Sequence, residues 1–221
     1  VVDALTQQLS EEMDINFSLT DTTPENLQAR SRGILLMAFS NNKDWLLLTT
    51  GNKSELSVGY ATLYGDMAGG FNPIGDLYKR GTAERPVSVF NLLEWRNSHK
   101  PEIALGRSGR VIPENVIIKE PSAELREGQK DSDTLPPYDL LDQILIRYQE
   151  KDQAIDQIVE ETNFDRDIVE AMVRKVDRAE YKRQQYAPII KISPRAYGKG
   201  RRVPIVGSTT DQMCKDILSL K

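Results

Sequence analysis

The 221-residue sequence contains one cysteine, Cys214, and one histidine, His99. A single cysteine excludes an internal disulfide framework and any metal site of clustered cysteines. With one histidine, a multi-histidine metal site is not expected. Long apolar runs are missing too. Gly33 to Phe39 and Trp45 to Leu48 are the longest, far below the roughly 18 residues of a membrane span. No N-terminal stretch has a signal-peptide pattern, so a cytoplasmic location is expected. Chemistry must then come from Lys, Arg, Asp, Glu, Ser, Thr and backbone groups. Apolar residues make up 39% of the chain and charged residues 28%, which argues against global disorder.

The net charge of −4 conceals an asymmetry. Residues 173–203 hold ten basic residues (Arg174, Lys175, Arg178, Lys182, Arg183, Lys191, Arg195, Lys199, Arg201 and Arg202) and two acids, Asp177 and Glu180, so that segment carries +8 and the remainder −12. A positive segment on an acidic body attracts polyanions across about a Debye length. Nucleotides, nucleic acid and acidic partners all qualify, as does a solvated basic helix and tail.

Residues 1–9 have a helical pattern. Pro24 suits a first helical turn after the cap-type residues Thr20 to Thr23, and a helix is expected over 25–39. Leu27, Ile34, Leu35 and Met37 would form its apolar face, while Asn26, Arg30 and Gly33 form a second, polar stripe. Trp45 to Thr49 fits a strand buried on both faces of a parallel sheet. Another amphipathic helix is expected over 86–97, and a linker to about Pro113. A polar loop runs from Pro121 to Tyr138, and helices are expected over 138–150, 153–160 and 165–183. The proline-bearing tail from Ala187 should be irregular.

The small, polar turn Thr49-Thr50-Gly51-Asn52-Lys53-Ser54-Glu55 follows the expected strand and leads into Leu56–Thr62. In open α/β sheets such strand ends bind ligands beside the next helix N-terminus. Glu55 offers a carboxylate to Mg²⁺, although an ordinary connection capped by Ser54 has the same pattern. The next stretch, Gly59 to Pro73, is dense in glycine and aromatics. Glycines let a backbone approach a ligand closely, and aromatic faces suit a heterocycle.

The string Leu48 to Glu55, with Gly59-Tyr60, Thr62-Leu63 and Gly65-Asp66, resembles the central motif of the glutamine-dependent NAD⁺ synthetases. Glu25 to Gly33, Pro121 to Arg126, Leu135 to Tyr138 and Glu180 to Arg183 are similar to the same family, in the family's order, over about residues 18–205. The resemblance implies an α/β, Rossmann-like nucleotide α-hydrolase fold with a helical C-terminal extension. Residues 1–110 would be the C-terminal part of the α/β core, and 111–221 its helical continuation and basic tail. It also implies ATP-dependent amidation of deamido-NAD⁺. ATP adenylates the nicotinate carboxylate, and ammonia displaces AMP. ATP and Mg²⁺ are the implied cofactors, glutamine the implied ammonia source, and a dimer or larger homo-oligomer the implied assembly.

On that resemblance Thr50, Lys79 and Ser122 contact ATP. Asn26, Arg30, Glu55, Asp66 and Lys182 contact deamido-NAD⁺, Glu55 also serves Mg²⁺, and no residue of this chain is assigned as a catalytic nucleophile or base. The family's Ser-Gly-Gly-x-Asp-Ser pyrophosphate loop and its glutaminase domain with a Glu-Lys-Cys triad are not in this sequence, and Cys214 is misplaced to substitute. The expectation is therefore a part of a longer enzyme with little ligase activity alone. Residues Arg80 to Val87 lengthen the junction after Lys79, which unsettles its assignment. Two other readings stand beside this one: a nucleotide- or RNA-binding module using residues 173–203, and another ATP-pyrophosphatase-type amidotransferase.

Overall fold

The computed structural model describes residues 1–13, 22–198 and 200–205; Lys199, Cys214 and the cap-type Thr20 and Asp21 lie outside them. The helices α1 (Val2–Met13), α2 (Thr23–Lys43), α3 (Lys53–Val58), α4 (Val89–Ser98), α5 (Glu114–Ile118), α6 (Tyr138–Leu145), α7 (Ile155–Thr162), α8 (Arg166–Arg178) and α9 (Glu180–Arg183) follow in chain order. A wider π-helical turn, Ile146–Glu150, continues α6. The helices expected at 86–97, 138–150, 153–160 and 165–183 thus correspond to α4 and to α6 through α9, with shifted ends.

The α/β, Rossmann-like fold is not what forms. Among the described residues there is no β-strand, only four isolated bridges. The run Trp45 to Thr49 pairs on one edge alone. Thr49 N–H donates to the Phe71 carbonyl at 2.9 Å, and Gly70 N–H donates to the Leu47 carbonyl at 2.9 Å. One bridge, Leu48 to Phe71, results. A strand buried on both faces needs neighbours on both edges and cover on both sides; here Trp45 and Leu46 are each 66% exposed.

The core forms instead among helices. Leu141, Ile144 and Leu145 of α6 are fully buried against Ile158 of α7 and Val169, Met172, Val173 and Val176 of α8. The α8 spacing places those four on one helical face. Val58 of α3 and Tyr78 join the same cluster, so both halves of the chain share one core. Replacing Leu141 by Ala is expected to cost about 2–5 kcal/mol of unfolding free energy. Urea denaturation reads this, and a loss below about 1 kcal/mol would remove Leu141 from the core.

Helix α2 turns the opposite face inward from that expected. Ile34, Leu35 and Met37 are exposed, whereas Ala29, Ser31 and Gly33 are buried. A Cβ on Gly33 would sit 3.2 Å from the Gly65 carbonyl oxygen, so the small-and-polar stripe is what lets the 62–66 loop approach. The helix also runs past Asn41-Asn42 to Lys43, where Asp44 ends it in the left-handed region at φ 54°.

The segment after Ala187 is irregular and strapped to the body. Asn72 N–H donates to the Pro188 carbonyl at 2.8 Å. Asp76 accepts the N–H groups of Ile192 and Ser193 at 2.7 and 2.6 Å.

Candidate functional site

The polar stripe of α2 meets the loop after α3. Thr62 Oγ1 donates to Asn26 Oδ1 at 3.0 Å, and Arg30 Nε donates to the Leu63 carbonyl at 3.1 Å. The third wall comes from α9. Lys182 Nζ donates to the carbonyls of Gly59 and Ala61 at 2.8 and 2.7 Å. Gly59 permits this approach because it sits at φ 70°, and a Cβ there would lie 2.8 Å from Ala179 Cβ.

Helix α3 presents Glu55 to the same space through a capping box. Asn52 Oδ1 accepts the Glu55 N–H, and Glu55 Oε2 accepts the Asn52 N–H, both at 3.1 Å. The cap is therefore Asn52 rather than Ser54. Glu55 Oε1 accepts from Lys79 Nζ at 2.7 Å. Ser54 is fully buried, and its hydroxyl donates to Asp142 Oδ1 and accepts the Lys79 N–H at 2.8 Å.

Asn26, Glu55, Asp66, Ser122 and Lys182 line one cavity of about 340 Å³, together with Glu25, Arg32, Tyr60, Gln129 and Asp131. Arg30 stands beside it on the Leu63 carbonyl, and Lys79 reaches its edge through Glu55. Thr50 is exposed and outside the lining. Ser122 lines the cavity while closing a turn, its Oγ donating to the Gln129 carbonyl at 2.5 Å. Of the residues expected to contact the dinucleotide, Asn26, Glu55, Asp66 and Lys182 share the cavity and Arg30 does not line it; of those expected to contact ATP, Ser122 lines it while Thr50 and Lys79 do not. Arg32, Tyr60, Gln129 and Asp131 were missed by sequence reasoning. Gln129 and Asp131 lie in a polar run with no periodicity to flag them.

Burial raises the Asp66 carboxyl above its ordinary value, against the Thr62 N–H at 2.6 Å and the Lys182 charge. Burial lowers the Lys182 ammonium, with Asp66 opposing. The Tyr60 hydroxyl is raised by burial and by the Asp131 charge, and stays protonated as a donor. A lining that carries the acids Glu25, Glu55, Asp66 and Asp131 together with the cations Arg32 and Lys182 suits a ligand that carries both anionic groups and a cationic or N–H-bearing group.

Among the described residues no three His, Cys, Asp or Glu side chains come together as metal ligands. Glu55 offers one carboxylate, already accepting from Asn52 and Lys79. Glu55 would therefore offer Mg²⁺ at most a single oxygen, as suits an ion held by one or two carboxylates.

Asp142, on α6, is fully buried, and burial pushes its carboxyl up to about 6 against hydrogen bonds from Ser54, Gly81 and Arg80. A folded-state value above the unfolded one means that the native state holds the proton more tightly. The associated stability is present at low pH and is lost as pH rises through about 6. The stability difference between the wild type and Asp142→Asn should therefore fall by about 1 kcal/mol per pH unit between about pH 4 and 6. Urea titrations across that window check it; a rising difference would contradict the shift.

The NAD synthase family matches residues 1–186. A glutamine-dependent NAD(+) synthetase from Xanthomonas campestris pv. campestris is 50% identical over 192 residues, 87% of this chain and 32% of that protein. One from Acinetobacter baylyi is 52% identical over 188 residues, 84% of this chain and 32% of that protein. The chain thus spans about a third of the length of the curated relatives it matches. Of solved structures, the glutamine-dependent NAD(+) synthetase of Cytophaga hutchinsonii shares the fold at a TM-score of 0.66 and 23% identity, covering 99% of this chain and 34% of that one. The NH3-dependent NAD synthetase of Campylobacter jejuni matches at 0.54 and 26%, covering 82% and 58%. Among the described residues no helix is long and apolar enough to cross a membrane.

Proposed function

Because the chain belongs to the NAD synthase family, we propose that it supplies the dinucleotide side of an ATP-dependent ligase that amidates deamido-NAD⁺ to NAD⁺. The observation that carries this reading is the convergence of Asn26, Glu55, Asp66 and Lys182 on one cavity from α2, α3, the 59–66 loop and α9. Deamido-NAD⁺ has a cationic pyridine ring, a carboxylate and a diphosphate, and so matches a lining of both signs. ATP transfers AMP to the nicotinate carboxylate and releases pyrophosphate. Ammonia attacks the acyl-adenylate, its excess protons pass to water, and AMP leaves as the amide forms. No nucleophilic side chain is required; positioning and charge stabilisation carry the step.

In this reading Arg32 and Lys182 face phosphate or carboxylate, and Asn26 and Asp66 orient the pyridine end. Lys79 exchanges Glu55 for an ATP phosphate, with Thr50 and Ser122 near the same nucleotide. Mg²⁺ neutralises phosphate charge when bound, with Glu55 giving it one oxygen. Glutamine as the source of ammonia, and a homo-oligomer of two or more chains, belong to the same proposal. A basic module for nucleic acid is less well supported. Arg174, Lys182, Arg183 and Arg195 of the basic segment are engaged by Glu170, by the Gly59 and Ala61 carbonyls, by Glu180 and by Asp152.

The test is direct. The full-length polypeptide carrying this chain is incubated with ATP, MgCl₂, deamido-NAD⁺ and ammonium or glutamine. One NAD⁺ should form per AMP and per pyrophosphate released. Release of AMP only with a different carboxylic acid as acceptor would favour another amidotransferase and overturn the reading.

A further inference from the structure

Sixty-two residues separate Asp142 from Arg80, yet the helix α6 carboxylate terminates the loop that carries Lys79. Asp142 Oδ2 accepts the N–H groups of Arg80 and Gly81 at 2.9 and 2.8 Å. Its Oδ1 accepts the Ser54 hydroxyl, and that hydroxyl accepts the Lys79 N–H at 2.8 Å. Three consecutive loop amides therefore end on one carboxylate and its hydroxyl partner, an anion cradled by a backbone nest of the protein's own. Both acceptor side chains are fully buried. Keeping an ionised carboxylate there opposes a burial penalty that these donors offset in part.

The geometry separates what is fixed from what is free. Gly81, at φ 73°, makes the turn that brings its N–H to Asp142, and a Cβ there would lie 2.4 Å from the Arg85 carbonyl oxygen. The Arg80 guanidinium lies 3.9 Å over the Phe90 ring, away from Glu55. Lys79 is left to extend into the site, its Nζ 2.7 Å from Glu55 Oε1 and 5.2 Å from the centre of the Tyr138 ring. Beyond the clamp, Thr82 and Arg85 exchange backbone hydrogen bonds at 3.0 Å in each direction, closing the residues between them into their own turn. The Arg80–Val87 segment thus begins at an anchored point.

We propose that Asp142, acting through Ser54, is a positioning residue that holds the backbone of Lys79 so that its ammonium stays in reach of both Glu55 and an incoming phosphate. Only the Lys79 side chain then needs to move between the two, and the entropy of placing it is removed before the nucleotide arrives. The proposal rests on the ligase reading above and assigns to it a residue remote from substrate.

The test is a double-mutant cycle in the full-length polypeptide. Asp142→Asn keeps the size of the side chain and gives up an acceptor for the loop amides. It is expected to lower kcat/KM for ATP about 10²-fold, with KM for deamido-NAD⁺ within about twofold. Lys79→Ala should cost at least as much. Because Asp142 acts through Lys79, the double variant should match Lys79→Ala alone within about threefold. Losses that multiply, or an Asp142→Asn enzyme within threefold of wild type, would overturn the proposal. If Asp142→Asn does not fold, Ser54→Ala takes its place in the cycle under the same criteria. Amide hydrogen exchange at Arg80 and Gly81 gives a readout independent of activity. It should accelerate at least tenfold in Asp142→Asn, and unchanged exchange would also overturn the clamp. A wild-type enzyme that makes no NAD⁺ sinks the ligase reading, while the exchange rates still decide the clamp.

Discussion

Glu55→Gln in the full-length polypeptide is expected to lower the rate of NAD⁺ formation about 10²–10³-fold while leaving the fold intact. The carboxylate has two separable tasks. Its Oε2 accepts the Asn52 N–H and completes the cap of α3, and its Oε1 holds Lys79 at 2.7 Å. A glutamine carbonyl can still accept the Asn52 N–H, so the helix keeps its first turn. The negative charge that orients Lys79, and that would give an oxygen to Mg²⁺, is gone. Glu55→Ala would blur the result, because it removes the cap as well, at a cost of about 1 kcal/mol. Steady-state kinetics beside a thermal melt decide the matter. Activity within threefold of wild type, with the melt unchanged, would remove Glu55 from the site.

Lys53→Met should destabilise the protein by about 3–5 kcal/mol. Lys53 is fully buried, with its ammonium 3.1 Å from Asp76, 2.9 Å from Glu150, 2.5 Å from Ser193 Oγ and 2.9 Å from the Arg195 carbonyl. It also lies 4.8 Å from the centre of the Tyr78 ring. Burial by itself would raise the Glu150 carboxyl, but hydrogen bonds and charge from Lys53 and Arg85 hold it below its ordinary value. Methionine fills a similar volume with no charge, leaving Glu150 with Arg85 as its remaining cation and Asp76 with none, only the Ile192 and Ser193 donors. The large cost comes from those uncompensated acids rather than from the intrinsic strength of the pairs. Lys53→Met with Glu150→Met should therefore recover part of the loss. Urea unfolding measures both variants; a single-variant loss below about 1 kcal/mol would refute the account. The strap formed by residues 192–195 should also become the first site of proteolysis, since Lys53 ties it to the body.

Helix existence was largely legible in the sequence, and helix orientation was not. The faces of α6, α7 and α8 carry apolar residues at three- and four-residue spacings, and those residues are the core. On α2 the same reasoning chose Ile34, Leu35 and Met37, which the structure leaves exposed. Periodicity reports that a helix has two faces. Which face turns inward depends on the surface offered to it, here the 62–66 loop that needs Gly33 and the polar groups of Asn26 and Arg30. The run Trp45 to Thr49 has the composition of a buried strand, but a strand is a property of pairs. With one edge hydrogen-bonded at Leu47 and Thr49, it remains a single bridge.

The candidate site divides in the same way. Asn26, Glu55, Asp66 and Lys182 were named from motif strings, and their chemistry is carried by residue type: a carboxamide, two acids and an amine. That they share a cavity with Arg32, Tyr60 and Asp131 could not be read from those strings, because the walls come from segments up to 160 positions apart. By itself the sequence determined the chemical vocabulary, a charge-rich chain with no histidine cluster and no thiol framework, and the local helices, which depend on contacts between residues a few positions apart. Only the tertiary structure decided that Lys53 would be a buried cation, that Asp142 would take three steps of the Lys79 loop under its control, and which stripe of α2 would face the cavity. Those outcomes depend on low-dielectric surroundings and on donors and acceptors brought together across 25 to 142 positions, distances over which no local pattern in a chain carries information.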